Sequence, residues 1–451
     1  MTIYFSPIVT RSRLIFLCVF LIASCSATIV VQAEEKLPNS QSGFGSVKRL
    51  PVVRRLSEQF LEKLDRERAA LAEQVKPMEV PYPFVRGTFH FHSHFSHDSN
   101  GTLKEIIAAA KATNTRVIGF TEHKSREVDV VAENVAGLHD GVYFLAGTES
   151  SDVLKNALHW PGREGEDDLS FLCHQEEIPT FDRTKYDGIE IYNTHSDAKD
   201  EPIAMLITAM IMNMGTVQNH PESAFCAILD YPADFLKRFD RLTAMDQYPG
   251  IAGNDSHQNQ RLQIAALPNG GIEVLDYADK VVWTDDGLRA KMLLAAFGQT
   301  DKPAERKILT TIQLDPYEIS MRHVGTFLQI EEVNEQSVRS ALRNGRIILG
   351  FELIAPLPSV GFWVGLQNSP LGTVGDQVQF KTGMELHISL PASAQIRVVR
   401  NGQTFATAES NELVVDLKEP GVYRMEALQV LAGQRYPWVL SNPIYLVEGE
   451  R

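Results

Sequence analysis

Histidines are unevenly distributed along this chain of 451 residues. Eleven of the thirteen lie between residues 90 and 257, and several directly follow short apolar runs that are typical of strands. His90 and His92 are separated by a single residue, so on a strand both imidazoles would point to the same side and could bind one ion. This spacing predicts the beginning of a metal site.

Further histidines and carboxylates recur at the ends of the predicted strands. They are His94, His97, Asp98, Glu122, His123, Glu149, Asp255 and His257. In a β/α barrel the carboxyl ends of the strands converge on one active site, so we expect these groups to meet. Mixed histidine and carboxylate ligands favour Zn, Mn or Fe over Ca, and the number of candidates indicates more than one ion.

The elements that must position these groups alternate between strands and helices. Strands are predicted at 86–92, 117–121, 142–146, 188–192, 216–219 and 251–253, and helices at 102–112, 202–214 and 233–239. The first of these helices opens with a capping box from Thr102 to Glu105. Such alternation predicts an α/β fold built on a parallel sheet or barrel.

The pattern changes beyond residue 350. Short strands are predicted there at 385–390, 396–399, 412–417 and 422–428. Asn401 and Gly402 are typical of a tight hairpin turn. Residues 350–451 are therefore predicted to form a small antiparallel β-sandwich, which we expect to pack on the barrel.

The N-terminal region is predicted to direct export and to connect to the main domain. Residues 1–33 resemble an export signal, with two arginines before a short apolar run. Cys25 ends a lipobox-like segment and would be lipidated, whereas cleavage after Ala33 would release the protein without an anchor. Residues 34–83 are predicted to be a polar tether followed by an amphipathic helix.

Net charge and cysteine content limit the cellular compartments and the binding partners that the sequence allows. The net charge of -14 argues against a general affinity for nucleic acid or anionic membranes, so membrane contact is expected only through an N-terminal lipid. We expect the protein in the periplasm or outer envelope of a bacterium. There Cys173 and Cys226 could form a disulfide, although two buried free thiols agree equally well with the sequence.

In combination, the strand-end motifs resemble those of the polymerase and histidinol phosphatase (PHP) domain family. The matching segments are His90-Phe91-His92, Ser96-His97-Asp98 with Gly101, Thr121-Glu122-His123, Gly147-Thr148-Glu149 and Asn254-Asp255-Ser256-His257. The resemblance covers residues 84 to 300 and implies a distorted (β/α)7 TIM-like barrel, which we place at 84–345. It also implies two to three divalent metal ions, Zn, Mn or Fe, and usually the hydrolysis of a phosphoester.

The resemblance also implies which residues are ligands. The expected set is His90, His92, Glu149 and Asp255 at the most buried part, then His123, His174 and His257, with His159 as a further ligand. Either His97 or Asp98 belongs to this set, and Asp98 is favoured. His174 is preferred to His220, although His220 precedes the proline that the family motif usually has. Histidines expected on the surface or around the ligands are His94, His139 and His195, and those expected outside the site are His323 and His387.

These residues lead to a functional hypothesis. We expect a metal-dependent phosphoesterase of the cell envelope, in which a metal-activated hydroxide attacks a small phosphorylated substrate. The expected catalytic residues are His257, Asp255 and His123. Lys124 and Arg261 are candidates for a phosphate clamp, although both agree better with ordinary surface charges. The alternatives are hydrolysis of a carboxylic ester, amide or carbamate, and a non-catalytic envelope protein that holds metal.

Overall fold

The computed structural model describes residues 47–150, 156–162, 167–199, 201, 205, 209, 213–259, 261–276, 278–313 and 315–448. The predicted export signal with Cys25, most of the tether and nearly all of the predicted helix at 202–214 lie outside these ranges. Within them, no helix is both long enough and apolar enough to span a bilayer.

Short helices and many strands make up the described part of the chain. The helices are α1 (Val52–Arg55), α2 (Glu58–Gln74), α3 (Leu103–Ala112), α4 (Val130–Glu133), α5 (Thr194–Lys199), α6 (Met214–Asn219), α7 (Pro221–Ile228), α8 (Ala233–Thr243), α9 (Leu288–Ala296), α10 (Tyr317–His323) and α11 (Glu335–Asn344). The strands up to the end of the PHP-like motifs are β1 (Val85–Phe91), β2 (Val117–Phe120), β3 (Glu122–His123), β4 (Gly137–His139), β5 (Val142–Leu145), β6 (Thr148–Glu149), β7 (Ala157–Trp160), β8 (Leu169–Leu172), β9 (Gly188–Asn193) and β10 (Gly250–Ser256).

The remaining strands follow these motifs. They are β11 (Arg261–Ala266), β12 (Ile272–Leu275), β13 (Val281–Asp285), β14 (Lys307–Gln313), β15 (Gly325–Leu328), β16 (Ile347–Gly350), β17 (Gly361–Leu366), β18 (Ser369–Thr373), β19 (Gln377–Gln379), β20 (Met384–Arg400), β21 (Gln403–Asp416), β22 (Gly421–Leu431), β23 (Gln434–Ser441) and β24 (Ile444–Val447).

The first ten strands form a mainly parallel part of one large sheet. Strand β1 lies between β2 and β10, and both pairings are parallel. The parallel pairs continue from β2 to β5 and from β10 through β9 to β8. Strand β7 runs antiparallel to both β6 and β8. The mixed α/β fold agrees with the alternation in the sequence, and the predicted capping box of α3 is present.

One predicted strand is a helix. Residues 216–219 were expected to be extended because Thr216 and Val217 are β-branched, yet they lie in α6. Val217 is buried, and α6 contacts α2 and α7. The contacts of α6 with these helices and the burial of Val217 therefore outweigh the local strand preference.

An additional sheet lies between β10 and α10. Its four strands are antiparallel in the order β13-β12-β11-β14, and Ile264 and Val274 form the centre of its small core. This segment was predicted to be part of the barrel, and a separate sheet was not predicted. It is anchored close to β10, because the backbone NH of Asn259 donates to Asp315 and the amide of Gln313 donates to the carbonyl of Gln258.

The C-terminal strands are joined to the βα part by hydrogen bonds. Two predicted strands, 385–390 and 396–399, form the single long strand β20, which makes a hairpin with β21. Asn401 and Gly402 both have positive φ, as the predicted tight turn requires. Strand β23 pairs with β16, β16 with β15, and β15 with β1, so the ladder is continuous.

Helix α2 packs against both parts of the chain. The predicted amphipathic pattern is confirmed, because Phe60, Leu61, Leu64 and Leu71 are all buried. The helix contacts α7 of the βα part and β20 and β22 of the C-terminal part. These contacts create one hydrophobic core that extends through the N-terminal helix, the parallel strands and the C-terminal strands.

The two cysteines of the described chain are free thiols. Cys173 and Cys226 are both completely buried. Of the two possibilities that the sequence left open, the structure has the buried thiols and not the disulfide. The two residues belong to different surroundings, because Cys173 follows β8 and Cys226 lies within α7.

A buried asparagine connects the C-terminal region to β10. The side-chain oxygen of Asn442 accepts a hydrogen bond from the backbone NH of Gly250, at 2.7 Å, and its amide donates to the carbonyl of the same residue, also at 2.7 Å. The amide additionally donates to the carbonyl of Ile347. Asn442 is completely buried, so solvent does not reach these bonds in the folded protein.

We expect Asn442→Ala to lower the free energy of unfolding by about 2–4 kcal/mol, because it leaves the NH and the carbonyl of Gly250 buried without partners. Chemical denaturation would measure the loss. Asn411→Ala is the matched control, since Asn411 is exposed on β21 and should change stability by less than about 0.5 kcal/mol. Equal stabilities of the two variants would contradict the role assigned to Asn442.

His323 lies in the core and not in the histidine cluster. It ends α10, its Nε2 contacts the hydroxyl of Tyr192, and its ring packs edge-on against Phe225 at 4.7 Å between centroids. Burial lowers the pKa of His323 to about 3. In the unfolded chain this imidazole would take up a proton near its ordinary pKa of about 6.5.

This difference makes stability depend on pH. Between pH 6.5 and 3 the unfolded state binds the additional proton, so the free energy of unfolding falls as the pH is lowered. From pH 6.5 to pH 5 the loss should be about 2 kcal/mol. His323→Gln should remove this component, whereas His139→Gln, at an exposed position, should retain it. Urea titrations at several pH values under equal metal loading test the prediction, which fails if His323→Gln has the pH dependence of the wild type.

Candidate metal centre

His90 and His92 converge at the end of β1, although not by simple alternation. His90 has a φ of 57°, and the pairing of β1 with β2 and β10 shifts between Phe89 and Phe91. The strand therefore contains an irregularity at His90, which the two-residue spacing did not predict. Both imidazoles are completely buried, and their centroids are 5.3 Å apart.

The Nδ1 atoms of both histidines are occupied. Nδ1 of His90 contacts Oε1 of Glu190 at 2.6 Å, and Nδ1 of His92 contacts Oγ of Ser96 at 3.0 Å. The two Nε2 atoms are buried and have no hydrogen-bond partner among the described residues. Because buried ring nitrogens are normally paired, both Nε2 atoms are available for a ligand.

Glu149 and Asp255 supply the carboxylates between these imidazoles. Glu149 lies in β6, the short strand that follows β5. Its oxygens lie 3.5 Å from Nε2 of His90 and 3.0 Å from Nε2 of His174. Asp255, near the end of β10, lies 3.4 Å from Nε2 of His90. The carboxylates of Glu149 and Asp255 are therefore adjacent to the same imidazole.

Three residues of the centre have left-handed backbone conformations. Their φ angles are 57° for His90, 45° for His174 and 47° for Asp255. Residues with a side chain adopt this region at an energetic cost, so the surrounding structure must hold them there. Glu190 contributes to this, because its carboxylate accepts from the backbone NH of His174 as well as contacting the His90 ring.

A second group of imidazoles extends from the buried His92 toward the solvent. His92 and His257 are stacked with centroids 3.9 Å apart, and His123 stacks on His92 at 4.7 Å. Asp98 closes this group, with one oxygen 3.4 Å from Nε2 of His123 and the other 3.5 Å from Nε2 of His257. His97 is exposed and its ring is 5.0 Å from that of His123.

A buried carboxylate holds the loop that carries Asp98. Glu122 is completely buried, and it accepts hydrogen bonds from the backbone NH and hydroxyl of Ser93 and from the hydroxyl of Ser96. The same hydroxyl of Ser96 contacts His92 and accepts from the backbone NH of His123. Glu122 therefore fixes this loop rather than facing the cluster, which a strand-end position alone did not reveal.

The charges in the centre shift the pKa values of the candidate ligands in different directions. Burial would raise the pKa of Glu149 and of Asp255, but the imidazoles, His90 foremost, hold both pKa values below their ordinary range. Burial and the neighbouring imidazoles lower the pKa of His92. Burial would also lower the pKa of His174, but its hydrogen bond to Glu149 and the charge of Asp255 raise it to about 9. Ionised carboxylates and a neutral His92 are thus available to a cation.

The structure brings most of the predicted ligands together. The groups of His, Cys, Asp and Glu atoms within 4.8 Å of one another are His90 with His92 and Asp255, His92 with His123 and His257, His97 with Asp98 and His123, and His90 with Cys173 and His174. His174 therefore belongs to the centre. His220 does not, since it contacts Asp65 of α2.

His159 lies apart from these groups. Its Nδ1 contacts Oγ of Ser170 at 3.1 Å and its Nε2 is 3.6 Å from the exposed carboxylate of Asp168. Its role as a ligand stays a prediction that these contacts do not support. Arg261, proposed for a phosphate clamp, pairs with Asp279.

His195 lies beside the predicted ligands, where a histidine around the ligands was expected. It follows β9, and its Nδ1 lies 3.1 Å from Oδ2 of Asp255. Its position directly after the parallel strand β9 explains why it reaches Asp255. The other histidines lie elsewhere: His94 beside Phe95, His139 on the carbonyl of Ala136 and His387 stacked on Trp363 in the C-terminal part.

These residues fit divalent metal ions. Three buried polar atoms, Nε2 of His90, Nε2 of His92 and Oδ1 of Asp98, lack a hydrogen-bond partner in the described chain, and each belongs to a group of converging ligand atoms. Imidazole nitrogens and carboxylate oxygens are ligands of Zn, Mn and Fe. The arrangement therefore suits metal binding better than a hydrogen-bonded network alone.

The choice between His174 and His220 can be tested by metal content. We expect His174→Ala to lose at least one ion per chain and His220→Ala to retain the wild-type content, because only His174 shares carboxylates with the cluster. Elemental analysis of folded, metal-loaded protein measures this, with circular dichroism to confirm folding. Loss of metal in His220→Ala with full content in His174→Ala would reverse the assignment.

Comparison with known proteins agrees with the motifs in the sequence. The model of the PHP domain family matches residues 88–238. The match ends before β10, so Asp255 and His257 are assigned to the centre by geometry. Among curated proteins, none is significantly similar to this chain. A solved structure from Bacteroides vulgatus, a two-domain protein containing a predicted PHP-like metal-dependent phosphoesterase, is 12% identical; the alignment covers 81% of this chain and 98% of that one, with a TM-score of 0.33.

The family match and the ligand groups together support a metal-dependent hydrolase. The fold supplies what such an enzyme needs, because side chains from β1, β3, β6 and β10 meet at one place. The chain accordingly contains a PHP domain at residues 88–238.

Proposed function

We propose that this protein is a metal-dependent phosphoesterase of the cell envelope that hydrolyses a small phosphorylated substrate. One observation carries the proposal. The carboxylate of Glu149 lies 3.0 to 3.6 Å from nitrogens of four histidines, His90, His92, His123 and His174. A carboxylate so placed can be shared by neighbouring ions, and paired ions are typical of enzymes that displace groups at phosphorus.

The proposed ligands divide into sets that two to three ions, Zn, Mn or Fe, would occupy. The buried set is His90, His92, Glu149 and Asp255. The next set is Glu149 and His174, with His195 beside Asp255. The set nearest the solvent is Asp98, His123 and His257. Bound ions would supply a water of lowered pKa and positive charge beside the phosphoryl oxygens.

The side chains of the chain itself have separate roles in this proposal. Asp255, held by the imidazoles of His90 and His195, orients the inner set. His123 and His257 line the outer set, where His123 is 27% exposed and can reach a leaving-group oxygen. We propose that one of these two imidazoles, if it is not bound to an ion, protonates that oxygen.

We also propose that a distorted (β/α)7 barrel is the scaffold that carries the metal ligands. In support, the pairings run from β1 to β2 with its continuation β3, to β5 with its continuation β6, and on through β7, β8, β9 and β10. Strand β10 pairs again with β1. A succession of seven segments that returns to its first strand has no open edge, as in a barrel.

The envelope location is proposed from the sequence of residues 1–33. Arginines before a short apolar run, followed by the lipobox-like segment ending at Cys25, are typical of exported bacterial proteins. Mass spectrometry of the mature protein would distinguish lipidation at Cys25 from cleavage after Ala33, and an intact Met1 would contradict both.

The activity can be tested with a panel of phosphoesters and the metal-loaded full-length protein. We expect phosphate release by the wild type and a loss on the order of 10³-fold in His90→Ala and Asp255→Asn, because both variants remove the groups that place charge at the reacting centre. His139→Ala, at an exposed position, should retain the wild-type rate.

The same samples should be tested on a carboxylic ester, an amide and a carbamate. Hydrolysis of one of these without phosphate release would replace the phosphoesterase proposal by the second hydrolytic activity. Bound metal with no hydrolysis of any substrate would indicate an envelope protein that only holds metal.

A further inference from the structure

A thiol lies in the wall of the proposed metal centre. Cys173 directly precedes His174 after β8, and its side chain is completely buried. Its Sγ is 3.9 Å from Oε1 of Glu149. Sγ also lies within 4.8 Å of a ligand nitrogen of His90 and of His174. The sulfur therefore faces the same space as two imidazoles and a carboxylate.

An independent observation indicates that this space holds a ligand. Nδ1 of His90 is taken by Glu190, whereas Nε2 is buried and has no hydrogen-bond partner in the part of the chain that the structure describes. A completely buried imidazole with one free nitrogen normally has a partner there. Nε2 of His90 therefore indicates a cation in the cluster, beside the Glu149 carboxylate that Cys173 also contacts.

Cys226 provides an internal comparison. It is as deeply buried as Cys173, but its charged neighbours are Arg68, Asp65 and Glu222 at the surface of α2 and α7. No group of converging ligand atoms in the described ranges includes it. Burial alone therefore does not distinguish Cys173; its position beside the imidazoles does.

We propose that Cys173 is an inner ligand of the ion held by Glu149 and His174, and that it makes this position selective for Zn²⁺ over Mn²⁺. Thiolates bind soft and borderline ions such as Zn²⁺ far better than the harder Mn²⁺. On binding, the S–H bond breaks, the proton leaves to solvent and a sulfur–metal bond forms. This inference deepens the proposed function, because it names the metal of one position.

Cobalt(II) is the spectroscopic probe for this ligand. Full-length protein loaded with Co²⁺ should show sulfur-to-cobalt charge-transfer absorption in the near ultraviolet. We expect Cys173→Ala to lose this band and Cys226→Ala to keep it at wild-type intensity. In a competition between Zn²⁺ and Mn²⁺ followed by elemental analysis, Cys173→Ser should shift the occupancy toward Mn²⁺ by about tenfold or more.

Two results would overturn the inference: a wild-type cobalt spectrum without the band, or a band that persists in Cys173→Ala. In either case the thiol only donates a hydrogen bond to Glu149. If Cys173→Ala does not fold, the wild-type spectrum and Cys173→Ser decide. A band without phosphate release would refute only the phosphoesterase proposal. Phosphate release without a band would refute only the thiolate ligand.

Discussion

The metal centre depends on the burial of two carboxylates, Glu149 and Asp255, beside the imidazole of His90. Glu149 and Asp255 repel each other, and burial removes the water that would otherwise screen them. Only positive charge in the same space can compensate them. Without a metal ion this charge comes from the protons of His90 and His174, whose pKa values lie above the ordinary range despite burial. A cation of higher charge can take the place of these protons, so the site is arranged for metal before any metal binds.

This requirement explains why so much of the surrounding fold serves to hold side chains still. Glu190 fixes the ring of His90 and the backbone of His174, while Glu122 fixes the loop that begins at Ser93. The left-handed conformations of His90, His174 and Asp255 are maintained within this network. Ligands held in this way lose little freedom when an ion binds, which favours tight binding.

Most of the centre could be predicted from the sequence because its ligands follow strands. His90, His92, Glu149 and Asp255 were identifiable since parallel strands bring their carboxyl ends to one place. Residues whose role depends on a loop or a turn were harder to assign. Glu122 has the same strand-end position as His123, but hydrogen bonds with Ser93 and Ser96 turn it toward the loop.

The fold was predictable to a similar extent and for a similar reason. Local sequence patterns identified α2, the capping box of α3 and the hairpin of β20 with β21, because these features depend on neighbouring residues. Such patterns did not identify the sheet of β11 to β14 or the helical state of residues 216–219, since both depend on packing against distant segments. The continuous ladder through β16 and β23 likewise joins residues far apart in the chain, which no local pattern reveals.

That ladder has a consequence for the synthesis of the protein. Strand β23 follows the strands of the metal centre in the chain, so until it has been synthesised, one edge of β16 and the backbone of Gly250 lack their partners. The part that carries the metal ligands therefore cannot complete its folding before the strands that follow it have been synthesised. A chain that terminates early would present an open sheet edge, and open edges pair readily with other unfinished chains.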